Sequence, residues 1–134
     1  MSRSGYSDDC ENWSLICWRG AVNSAIKGKR GQAFLAELAH AMDEMPVKRL
    51  VADELEADGE FCTIGVLGAK RGVDMGVLDP GDREEVGKVF GIAPAMAAEI
   101  VFMNDEGSWK AETPEERWVR MRKWVSENLG SEQP

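Results

Sequence analysis

Three cysteines, Cys10, Cys17 and Cys62, and a single histidine, His40, are the soft ligands and nucleophiles of this 134-residue chain, and none of their spacings matches a zinc or dithiol redox motif. Cys10 and Cys17 are seven apart. On one helix they would share a face two turns apart, too far for a disulfide, so free thiols in a reducing cytosol are expected. His40 lies well round a helix from the Leu35, Leu38, Met42 stripe, which reads as a solvated position without catalytic partners. Only carboxylates remain as acid–base catalysts, and no nucleophile motif accompanies them. The expectation is a protein that is not an enzyme and uses no cofactor and no metal.

Two further stretches invite a chemical reading. The glycines of "GVLGAKRG", Gly65, Gly68 and Gly72, resemble a phosphate-cradling loop, since bare glycine lets backbone N–H groups approach an anion. They fit neither G-x-G-x-x-G nor G-x-x-x-x-G-K-S/T, so a tight connection packed against a helix is favoured over Lys70 and Arg71 facing an anion. "VGKVFGIAPAMAAEI", Val86 to Ile100, reads as two short helices hinged at Gly91, the shape of a helix-turn-helix, with Val86, Gly87, Phe90, Ile92 and Ile100 able to glue the pair.

Charge argues against that hinge as a DNA reader. Its second helix would offer Ala93, Pro94, Ala95 and Met96 as an exposed start, where base edges require polar or basic side chains. From Asp79 to Glu106 there are seven acids (Asp79, Asp82, Glu84, Glu85, Glu99, Asp105, Glu106) and two bases (Arg83, Lys88), a local balance of −5. The whole chain carries 24 acids and 16 bases, net −8, a field that repels phosphate backbones unless the bases gather on one face. The bases that cluster are Lys27, Lys29 and Arg30, then Arg117, Arg120, Arg122 and Lys123, with Trp124 beside them as a stacking platform. The favoured reading of that second cluster is instead Glu116 pairing with Arg120 on the helix surface while the tryptophans fill the core.

The elements that would carry these residues are mostly helical. A first helix is expected from about Asp8 to Lys27, capped by Ser7, with Leu15, Trp18, Val22 and Ile26 on one stripe. After the basic loop "KGKRG", Phe34, Leu35, Leu38, Met42 and Met45 repeat on a second helix that Pro46 stops, and the two helices are expected to pair antiparallel. Residues 47–78 admit two strands about the Asp58-Gly59 turn or two short helices, with a small hairpin or irregular segment favoured. Asp79-Pro80-Gly81 marks a turn, Asp82 to Phe90 a short helix, and Pro94 the start of another running to about Asn104. "TPEER" holds a full capping box, with Thr113 as N-cap and Glu116 three residues on, opening a last helix with Trp118, Met121, Val125 and Leu129 on its stripe. The expected fold is mainly α: one domain over 1–134, a compact bundle of about five helices, with 1–7 and 130–134 flexible. With 43% apolar and 30% charged residues and no apolar run near the roughly 20 of a membrane helix, it should be globular. "MSRSGYSDDCENW" lacks the apolar block of a secretory signal.

The segments "KRGQAFLAELAHAMDEMP", "VFGIAPAMAAEIVFMNDE" and "ETPEERWVRMRKWV" together resemble a family of small proteins encoded by bacteriophages and prophages of Gram-negative bacteria. That family carries no assigned activity, so the resemblance transfers no residue role and implies only a setting, the cytoplasm of an infected or lysogenic bacterium. In that setting a small acidic protein is expected to act by stoichiometric binding to a host protein or complex with a basic surface, as an inhibitor of antiviral defence of the anti-CRISPR kind. The candidate face is Asp53, Glu54, Glu56, Asp58 and Glu60, followed by Glu84, Glu85, Asp105 and Glu106. The alternative is a helix-turn-helix-type regulator that contacts nucleic acid through the hinge and the basic clusters. A homodimer through the tryptophan-bearing last helix is left open.

Overall fold

The computed structural model describes residues 12–108 and 110–130. Among them the chain forms six α-helices and one small hairpin: α1 (Asn12–Lys27), α2 (Lys29–Asp43), β1 (Glu56–Ala57), β2 (Glu60–Phe61), α3 (Thr63–Arg71), α4 (Arg83–Phe90), α5 (Pro94–Glu106) and α6 (Pro114–Asn128). The expected Ser7 cap, the acids before Asn12, Cys10 and the ends 1–7 and 131–134 lie outside the described residues. Gly130, expected in a flexible end, donates its N–H to Gln32 Oε1 at 2.7 Å. No single described helix is long and apolar enough to cross a membrane.

Most of the stripe residues read from sequence are buried, with Trp18, Met45, Trp118 and Leu129 partly buried against the same core. Val22 and Ile26 of α1, Phe34, Leu35, Leu38 and Met42 of α2, and Met121 and Val125 of α6 meet in one core, whereas Leu15 at the start of α1 stays exposed. α1 and α2 are joined by Gly28 alone, and at Gly31 a Cβ would stand 2.0 Å from the Ala25 carbonyl oxygen, so only glycine fits this close junction. The capping box forms as expected: Thr113 Oγ1 accepts from Glu116 N–H at 3.1 Å, and Glu116 Oε1 accepts from Thr113 N–H at 2.8 Å.

The ambiguous middle resolves into a hairpin and a helix. Asp58 (φ 53°) and Gly59 (φ 79°) are both left-handed, the requirement of the two-residue turn that suits a hairpin's twist, and Ala57 faces Glu60 across it. The second strand ends at Phe61, and Thr63 and Ile64 open α3 instead of continuing the strand. "GVLGAKRG" is therefore largely helix and not a loop: α3 carries Gly65 and Gly68 inside it and ends at left-handed Gly72 (φ 75°). Those two glycines are sites of close approach. A Cβ on Gly65 would meet the Leu55 carbonyl oxygen at 2.1 Å, and one on Gly68 would meet Met75 Sδ at 2.7 Å and Phe90 Cζ at 3.0 Å.

α5 is the axis of the molecule and packs against α1, α3, α4 and α6. Its residue Asn104 is buried and stitches three segments together: Oδ1 accepts from Thr63 N–H at 3.0 Å and Thr63 Oγ1 at 2.8 Å, while Nδ2 donates to the Val51 carbonyl at 2.9 Å. This fixes the hairpin segment and the start of α3 against the central helix.

Candidate functional site

The hinge has the geometry of a helix-turn-helix and none of its exposure. α4 and α5 cross at 106°, within the roughly 90–120° of that motif, and Gly91 (φ 73°) makes the turn. Val86, Phe90, Ile92 and Ile100 are buried as its glue. The expected exposed start of the second helix is a correction: Met96 is 0% exposed, Ala93, Pro94 and Ala95 are half-buried, and along the whole of α5 only Glu106 is exposed. A recognition helix must present a face to the major groove, and α5 has spent its faces on packing.

Arg117 and Arg120 of the second basic cluster are likewise turned inward, which goes against its reading as a nucleic-acid contact. Arg117 donates to the carbonyls of Asn104 (3.2 Å) and Leu50 (3.0 Å). Arg120 donates to the carbonyls of Met103 (2.6 Å) and Asn104 (3.1 Å) and grips Glu112 through Nε and Nη2 at 3.0 and 2.6 Å. The expected Glu116–Arg120 pair gives way to this one, because Glu116 is committed to the capping box. The Arg117 and Arg120 guanidiniums both reach the Asn104 carbonyl in the last turn of α5, and Arg120 shares the Met103 carbonyl with the Gly107 N–H. The hydrogen bond from Arg120 holds the Glu112 carboxyl below its ordinary value, outweighing the opposite effect of burial. Arg122 is bound to Asp43 at 2.8 and 2.9 Å and to Ser126 at 2.6 Å. Trp124 is 9% exposed and belongs to the core, so its ring is not a platform for a base. Lys123 is exposed, as are Lys27, Lys29 and Arg30 at the α1–α2 junction.

Lys70 and Arg71, weighed as anion ligands, already have carboxylate partners. Lys70 pairs with Glu44, and Arg71 holds Glu37 at 3.0 and 2.6 Å while lying 5.7 and 6.0 Å from the Phe34 and Phe90 ring centroids. His40 is exposed and stands 3.2 Å from Glu44, as its place off the apolar stripe implied. Cys62 is buried at the start of α3, where burial pushes its thiol up to about 12. Among the described residues no group of three or more His, Cys, Asp or Glu is placed to hold a metal ion.

The acids divide into two neighbourhoods. Asp53, Glu54, Glu56 and Asp58 are exposed along the hairpin segment, and Glu60 on β2 lies 3.3 Å from Arg49, which also reaches Glu115 at 3.3 Å. Asp105 joins this group structurally, since its Oδ1 accepts from the N–H of Asp53 at 2.9 Å and from Asn104 Nδ2 at 2.8 Å, with exposed Glu106 next to it. Glu84 and Glu85 sit instead in the first turn of α4, favourable for the helix dipole, beside Arg83, whose guanidinium lies 4.8 Å from the Trp18 ring on α1.

Beside the hairpin lies a feature with no counterpart in the sequence reading. An open groove of about 700 Å³ runs between the end of α2 with its following loop and the wall made by β2 and α3. Met45, Pro46 and Val47 form one side, Phe61, Val66 and Ala69 the other, and Glu44, Lys70, Arg49 and Glu60 stand at its edge. Val47 is 60% exposed at its lip. No local pattern could have announced it, because its walls come from separate segments of the chain that only tertiary packing sets face to face.

No protein-family model, curated protein or solved structure matches this chain.

Proposed function

We propose that the protein acts by stoichiometric binding to a protein partner with a basic surface, using the acids of the hairpin segment, Asp53, Glu54, Glu56 and Asp58. The observation that carries this reading is the unequal use of charge. Three of the four bases in the last helix are already engaged, Arg117 and Arg120 by backbone carbonyls and by Glu112, and Arg122 by Asp43, while Glu54, Glu56 and Asp58 of the hairpin segment face solvent. An exposed acidic loop complements a basic surface and speeds encounter with it. The likeness to phage proteins supplies the setting, a bacterial cytoplasm in which the nucleic-acid-binding groove of a defence complex, such as a CRISPR effector, is a basic surface worth occupying.

The reading is tested by affinity capture from host-cell lysate with the wild-type chain and with a Glu54→Lys, Glu56→Lys, Asp58→Asn variant. A partner recovered in stoichiometric amount by the wild type and lost by the variant is expected. Recovery of no such partner, or of one that the variant keeps, overturns the proposal.

A further inference from the structure

We infer that the groove beside the hairpin is the anchor pocket of that interface, receiving one large apolar side chain flanked by lysine or arginine from the partner protein; this rests on the acidic-surface reading above. The groove is adjacent to the acids by construction, since Gly59, Glu60 and Phe61 are both hairpin and groove wall. A partner held by Glu56 and Asp58 is therefore already over the groove.

The chemistry of the lining selects the occupant. Sites for small ligands combine an apolar wall with a few convergent polar groups that orient the molecule. Here the charged groups at the edge are engaged with one another: Lys70 with Glu44, and Arg49 with Glu60 and Glu115. What remains is non-directional apolar surface, the environment in which a buried aromatic or long aliphatic anchor supplies much of an interface's binding energy. The charge left over after these pairings is negative, from Glu54, Glu56 and Asp58, so side chains flanking the anchor are favoured when basic. Exposed Val47 at the lip extends the apolar surface that such a contact would cover.

The test uses the full chain, isotopically labelled, titrated by NMR with three capped peptides, Arg-Gly-Trp-Gly-Arg, Arg-Gly-Ala-Gly-Arg and Glu-Gly-Trp-Gly-Glu, and with indole. The Arg-flanked Trp peptide is expected to shift the amides of Met45, Val47, Phe61 and Val66 and to bind about tenfold tighter than its alanine counterpart, as burial of an aromatic side chain implies. Ala69→Trp, which fills the groove from an exposed position on α3, and Val47→Asp at the lip should each abolish that gain, with circular dichroism confirming the fold. If both Arg-flanked peptides shift only hairpin amides and bind equally, the anchor pocket is wrong while the acidic surface stands. Equal binding by the Glu-flanked peptide or by indole makes the groove a charge-indifferent apolar site and overturns the inference. Absence of groove shifts with every peptide overturns it too.

Discussion

Arg120 and Glu112 form a two-point guanidinium–carboxylate pair, Nε to Oε2 at 3.0 Å and Nη2 to Oε1 at 2.6 Å, reaching across the N-cap of α6. The same guanidinium donates to the Met103 and Asn104 carbonyls, so one side chain closes the end of α5 and fixes the entry into α6. Arg120→Ala removes both functions and leaves a nearly buried carboxylate with the longer Arg117 contact at 3.3 Å. It should cost about 3 kcal/mol, read as a lower urea midpoint at unchanged slope.

Acid should unfold the protein through three carboxylates. Glu112, Glu37 and Asp43 are each held below their ordinary values, chiefly by hydrogen bonds from Arg120, Arg71 and Arg122 respectively. In the unfolded chain these groups return to about 4, so protonation favours unfolding. Their stabilisation is complete above that value and is lost as pH falls through the folded ones. Thermal midpoints measured from pH 7 to pH 2.5 should therefore drop below about pH 4.5, and Glu112→Gln should flatten that drop while lowering the neutral-pH midpoint.

Glycine substitutions should separate packing from propensity. In Gly65→Ala the new Cβ meets the Leu55 carbonyl oxygen at 2.1 Å, a backbone atom held by the hairpin, and the cost should be about 2–3 kcal/mol. Gly20→Ala, on α1 with nothing within 4 Å of the new Cβ, should stabilise by about 0.5–1 kcal/mol. Denaturant melts of the two variants giving the same sign would contradict this account of α3.

The two described thiols should differ sharply in reactivity. Cys62 is 4% exposed and its thiol is pushed up to about 12, whereas Cys17 is exposed on α1. In a Cys10→Ser background, a disulfide reagent at pH 8 should modify one thiol promptly and the second only on unfolding. Prompt modification of both would show that the start of α3 opens in the native state.

Nucleic acid should not be a ligand. With α5 buried and Arg117, Arg120 and Arg122 engaged by carbonyls and carboxylates, the exposed members of the two basic clusters, Lys27, Lys29, Arg30 and Lys123, stand in a chain of net charge −8. A gel shift at low salt with duplex and single-stranded DNA is expected to show no complex, and a shifted band would reopen the regulator reading.

Local signals were strong enough to read most of the helices directly. A capping box, an Asp-Gly turn and a first-turn proline act over a few residues and appear where their patterns placed them, and the stripes of α1, α2 and α6 do so apart from exposed Leu15. α3 escaped because Gly65 and Gly68 lower helix propensity and Thr63-Ile64 suggest a strand, while its glycine face packs closely on Leu55, Met75 and Phe90, all outside the helix. The acidic segment was legible as composition. Its division was not, since Asp105 is drawn to Asp53 by a hydrogen bond across the fold while Glu84 and Glu85 go with α4.

A mainly helical acidic chain with a hinge at Gly91 followed from periodicity, caps and net charge, which are local or additive properties. Tertiary structure alone decided which charges meet solvent, that the hinge's second helix is the buried axis, and that a groove opens beside the hairpin. Those outcomes depend on which distant faces pack together, and one sequence carries no direct record of that pairing.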